Sequence, residues 1–170
     1  MNELPATLEE LSRRLWDERR VVTYLLFKLT VTKLLLAADE RRFVPDALKE
    51  VERTVELLRD GEMMRDAVVR DLADVWRIDP ERLTLNELTR RAPPPFDHVF
   101  NEHRTAFEGL SAEIEQVASQ NRSLARTDLD EVQGTLDQLT GASDVSVSTY
   151  DARGQVGYRR RVGDRIREEL

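Results

Sequence analysis

The heptad run of the first helix, Leu8, Leu15, Val22, Leu29 and Leu36, constrains this chain more than any other feature. Leu4, Leu11 and Leu25 fill the alternating position, where only Glu18 and Thr32 enter as polar residues. A stripe with that repeat stays on one side of a helix and packs at a shallow angle against another long helix. The spacing predicts helix from Glu3 to Ala38. Its second half differs, because Tyr24, Leu26, Phe27, Val31, Leu34 and Leu35 point away from the seam. Such a segment is apolar nearly all round, so a third helix, a second subunit or a client has to cover it.

A turn over Asp39 to Val44 leads to Pro45, which suits a first helical position because it lacks an N–H that would be unpaired there. The second helix then runs to about Ile78. Leu48, Val51, Val55, Leu58, Val69, Leu72 and Trp76 carry its seam, and Glu62 and Arg65 interrupt it midway. A short turn makes the two helices an antiparallel hairpin, each helix roughly 45 to 50 Å long. Asp79-Pro80 is expected to close the second helix, since the residue before proline is pushed out of helical geometry. Thr84 and Glu87 form a capping-box pattern ahead of Leu85 and Leu88, which predicts a short connecting helix. Ala92-Pro93-Pro94-Pro95 predicts an extended connector.

The third long helix is expected from about Phe96 to Thr140. Phe100, Phe107, Leu110, Ile114 and Val117 hold its seam as far as Asn121. The stripe resumes at Leu129, Val132, Leu136 and Leu139 after two steps of four, which locally unwinds a left-handed supercoil and lets the two halves face different neighbours. Asn121 is either a buried amide that sets register or a side chain already rotated to solvent; the spacing leaves both open. Gly141 is the expected C-cap, because glycine takes positive φ without a Cβ clash. From Ala142 to Thr149 there is little to bury, so a flexible lead to Tyr150 is expected. Beyond it Val162, Ile166 and Leu170 share one helical face, weakened by Gly157 and Gly163. The fold expected is all-α: a long antiparallel hairpin with a third long helix and a short connecting helix in residues 1–141, and a flexible C-terminal tail over 142–170.

Composition narrows function. Charged residues make up 35% of the 170 and aromatics only 6%, which fits long helices with solvated outer faces. A net charge of -7 argues against nucleic acid, which requires a basic face to displace counterions. With no cysteine there is neither a disulfide framework nor a thiolate zinc site. The acidic, amphipathic N-terminus predicts no secretory signal. Val21 to Ala38, interrupted by Lys28 and Lys33, falls short of a spanning helix. A cytoplasmic protein with no membrane insertion is the expectation.

Catalytic constellations are hard to find. His98 and His103 are five apart and share no helical face as a zinc pair would, so solvated or capping roles are expected. Neither histidine follows a glutamate by three residues, as a di-iron bundle requires. No phosphate loop or nucleophile elbow occurs. The sequence therefore offers no catalytic constellation and no metal site, and an enzyme is not the expectation. Leu129, Val132, Leu136 and Leu139 are either core against the other helices or a groove for a client helix, whose anchors dock at that spacing. Tyr150 is either an ordinary surface aromatic or a binding anchor.

The chain resembles the FlgN-type flagellar export chaperones. The resemblance covers nearly the whole length and rests on Leu8 and Leu11 of the LEEL opening, the acidic, Arg-rich second helix, the Thr84-Leu85-x-x-Leu88 segment, Asn121-x-x-Leu124 and the ending Thr149-Tyr150-Asp151-Ala152-Arg153-Gly154. It implies a cytosolic chaperone, without enzymatic activity or cofactor, that holds the C-terminal helices of hook-filament junction proteins, prevents their premature association and delivers them to the flagellar type III export gate. On that resemblance Leu129, Val132, Leu136 and Leu139 would be the client surface and Tyr150 the export-gate contact. The alternative from the residues alone is a structural coiled-coil adaptor acting by self-association, and the sequence leaves a homodimer open.

Overall fold

The computed structural model describes residues 3–139 and two short strands at 149–150 and 156–157, with side chains described for residues 4–136. Four helices account for the first part: α1 (Glu3–Ala37), α2 (Val44–Trp76), α3 (Leu85–Arg91) and α4 (Phe96–Leu139). The three long helices each lie within two residues of the span their periodicity predicts, and α3 is the short connecting helix expected after Thr84. The chain divides into two compact units, residues 1–125 and 126–170. The domain boundary expected at 141/142 falls outside the described residues.

In the first unit α1 and α2 form the antiparallel hairpin. Arg65 meets Glu18 and, nearer the turn, Glu50 meets Lys28. The turn between them is built from the end of α1. Asp39 adopts φ 57°, its N–H donates to the Leu36 carbonyl at 3.2 Å, and the Glu40 N–H reaches the Leu35 carbonyl at 2.9 Å. That is the Schellman pattern, with an aspartate where glycine is commoner. The far end of α2 repeats it: Arg77 has φ 55°, and the Ile78 N–H donates to the Ala73 carbonyl at 3.0 Å while the Ile78 side chain packs on the core. Helix α2 therefore stops at Trp76, ahead of the Asp79-Pro80 pair expected to stop it. The gain from burying Ile78 offsets the 1 to 2 kcal/mol or so that a left-handed non-glycine residue costs.

The α3 capping box is only half made. The Glu87 N–H donates to Thr84 Oγ1 at 3.3 Å, but the Glu87 carboxylate turns to the Arg91 guanidinium, and the Thr84 N–H is met instead by the Arg82 carbonyl at 3.0 Å. An ion pair on the outer face of a short helix has replaced the second cap bond. The triple proline is not an extended connector either. Ala92 is extended, but the Phe96 N–H then donates back to the Pro93 carbonyl at 2.9 Å and closes a turn. Ala92 and Phe96 both pack on the core, so the chain has to reverse between them.

The core sits at the end of the hairpin where Leu88 of α3 packs. Leu8, Leu11, Leu15, Leu72, Ala73, Leu83, Leu88, Ala92 and Phe100 are buried there. Higher in the hairpin the seam passes through Val22, Leu25, Thr32 and Thr54, all buried. The two threonine hydroxyls bond carbonyls of their own helices, Lys28 at 3.0 Å and Glu50 at 2.7 Å, and so present only methyl groups to the interface. Up to residue 125, α4 runs alongside α1 in the same direction: His103 meets Trp16 and Asn121 meets Leu29.

In the second unit the described elements are the end of α4 and the antiparallel pair β1 (Thr149–Tyr150) and β2 (Val156–Gly157), in which Tyr150 lies opposite Val156. The expected Gly141 cap and the helical face of Val162, Ile166 and Leu170 lie outside the described residues. No described helix is long and apolar enough to cross a membrane.

Candidate client surface on the last long helix

The late stripe of α4 remains helical and outward. Leu129 is 69% exposed, Val132 44% and Leu136 48%. Single exposed apolar residues are ordinary on protein surfaces, but these three recur at i, i+3 and i+7 and so share one face. Gly134 lies between them, and a Cβ placed there would meet nothing within 4 Å. Leu139 is the last residue of α4 and Tyr150 belongs to β1; their side chains are not among those described. The half-buried positions of α4 follow a different register. Asn121, Leu124 and Ala125 are half-buried within the first unit, whereas Leu129, after two steps of four from Asn121, is exposed.

Asn121 resolves in favour of the register reading. Its Nδ2 donates to the Leu29 carbonyl of α1 at 3.0 Å, while its Oδ1 is buried without a hydrogen-bond partner. A carbonyl already engaged in a helix retains a second lone pair, and the amide takes it up at one axial position only. Glu18 does the same for the hairpin. It is buried, and Arg65 Nη1 spans both its oxygens at 2.6 and 2.8 Å. Burial raises the Glu18 pKa above the usual carboxylate value, and Arg65 opposes that rise without cancelling it.

His103 corrects the expectation of a solvated or capping histidine. It is 1% exposed, neither ring nitrogen has a hydrogen-bond partner, and its ring meets Trp16 edge-on at 5.3 Å. Desolvation, helped by the nearby Arg19 charge, lowers its pKa to about 4. The signal was present in the sequence: His103 follows Phe100 by three and precedes Phe107 by four, which places it in the α4 seam. His98 is exposed, 3.9 Å from Glu102. The described residues contain no group of His, Cys, Asp or Glu able to hold a metal.

The second half of α1, expected to need cover from a third helix, a second subunit or a client, is covered only in part by the described residues. Leu26, Val31 and Leu35 are half-buried, whereas Tyr24, Phe27 and Leu34 are each about half exposed.

Among known proteins, the family described as FlgN protein matches residues 1–157. No curated protein and no solved structure matches the chain.

Proposed function

The chain belongs to the FlgN family, a family of flagellar export chaperones, and from that premise we propose that it is a cytoplasmic type III secretion chaperone for hook-filament junction proteins. In this reading the client presents a sticky C-terminal helix, and α4 receives it on Leu129, Val132 and Leu136, with Leu139 extending the face. The exposure of that stripe on a formed helix carries the reading. Burying such side chains against a client gains about 1.5 to 3 kcal/mol each, and the i, i+3, i+7 spacing matches what an amphipathic helix offers in return. Holding the client's apolar face prevents its premature association. Tyr150 contacts the export gate and couples holding to delivery. No covalent step is involved, and no cofactor is required.

The test is capture from a lysate of a flagellated bacterium with the full chain and with a version ending at Gly141. Both forms should retain hook-filament junction proteins, and the full chain alone should retain export-gate protein. Recovery of neither, from a chain that elutes as a closed self-oligomer, would replace this reading with the structural coiled-coil adaptor.

A further inference from the structure

A second face of the first unit has features that the client reading does not use. Trp16, Thr23, Phe27 and Leu34 of α1 recur at steps of seven and four on the side of the helix opposite the buried seam, and all four are exposed. Trp16, Tyr24 and Phe27 form the aromatic part of this face, with Tyr24 and Phe27 stacked at 6.0 Å. Two adjoining hollows lie along it. Trp16, Arg19, Thr23 and Phe27 help line one, Val21 and Leu57 help line the other, and Arg20 and Tyr24 stand in both. From Trp16 to Phe27 the face spans about 16 Å, three turns of a docked helix.

Charge identifies what such a face would accept. The guanidinium of Arg19 lies 4.3 Å from the centre of the Trp16 ring, and the ammonium of Lys28 lies 4.8 Å from that of Tyr24. Arg13, Arg14, Arg53 and Arg65 of the hairpin pair with carboxylates, whereas Arg19 and Arg20, like Arg59 and Arg70 on α2, form no such ion pair among the described residues. Asp17 lines the second hollow without pairing with Arg20. What sets Arg19 and Arg20 apart is their place: both line the aromatic face and put positive charge on its rim in a chain of net charge -7. They are too few to hold a polyphosphate backbone against that charge. They suit carboxylates on the rim of an apolar ligand, which a guanidinium can bind with two parallel hydrogen bonds. Trp, Tyr and Arg are also the residues that dominate interface energetics.

We infer that the Trp16 to Phe27 face of α1 docks an acidic amphipathic helix of a second protein, with apolar anchors on the aromatic stripe and flanking carboxylates on Arg19 and Arg20. This site is separate from the α4 stripe and stands whether or not α4 receives clients.

The test uses the full chain with Trp76→Phe, which leaves Trp16 as the fluorescent reporter. The probes are synthetic amphipathic helices of about four turns with one leucine face, flanked by glutamate, by glutamine or by lysine. The glutamate probe should bind about tenfold more tightly than the glutamine probe, and weaken with salt. Arg19→Glu with Arg20→Glu should abolish that preference and favour the lysine probe. Val132→Asp with Leu136→Asp should leave it unchanged, which separates this site from the client surface. Equal binding of the glutamate and glutamine probes, or a glutamate preference that survives charge reversal, would overturn the inference. So would a change in the sedimentation mass of the free chain on charge reversal, which would make this face a self-interface.

Discussion

His103 shows how much a single residue in this fold can cost. A neutral imidazole has one donor and one acceptor, and here both are buried without partners, each at an expense of about 1 to 3 kcal/mol. Replacement by leucine, similar in volume and free of polar atoms, should therefore stabilise the protein at pH 7. The pH response should change as well. Folded His103 takes up its proton near pH 4, against 6.5 for the ordinary group, so the unfolded chain binds more protons between those values. Stability therefore falls as pH drops through that window. The difference between wild type and His103→Leu in urea unfolding should widen from pH 7 to pH 4.5 by on the order of 2 to 3 kcal/mol. A difference independent of pH would mean that the imidazole is solvated. Gly134 gives a second case. With open space where its Cβ would stand, Gly134→Ala should raise stability by roughly 0.5 to 1 kcal/mol through helix propensity alone, and thermal unfolding would register a loss instead if the backbone were closely approached there.

At the level of elements, the hairpin is aligned by polar residues within an apolar seam. Sliding α1 against α2 by one heptad would still juxtapose leucines, but it would separate Glu18 from Arg65. Arg65→Met leaves a buried carboxylate unpaired and should cost roughly 2 to 4 kcal/mol, whereas Glu18→Leu with Arg65→Met should recover most of it. Denaturant midpoints of the single and double variants check this, and equal losses in both would show that the pair does not act as a unit. The seam positions made the helices legible in the sequence, and Glu18 stood out as a polar intruder. Its partner could not be identified, because pairing across a hairpin depends on the register of a turn whose left-handed Asp39 carries no glycine signal. The same limit applies at Arg77, where α2 closes ahead of the expected Pro80, and at Glu87, whose carboxylate had two competing partners. His103 was missed for a different reason: residue type suggested a polar role, while its position in the seam required burial.

For the molecule as a whole, one unit holds a sealed core and a second carries apolar residues outward on the same helix. The stripe at Leu129, Val132 and Leu136 was legible from its spacing, but spacing alone could not distinguish core from surface; exposure in the fold favours the surface. The central claim is that this stripe receives the client. The measurement that tests it most directly is calorimetric titration of the purified full chain with the C-terminal segment of a hook-filament junction protein, comparing wild type with Val132→Asp plus Leu136→Asp, and circular dichroism of both. The account predicts unchanged helicity and a loss of at least about a hundredfold in affinity, since two buried anchors of roughly 1.5 to 3 kcal/mol each are removed. Full affinity in the double variant would contradict it, as would a collapse of helicity that reveals the stripe to be core.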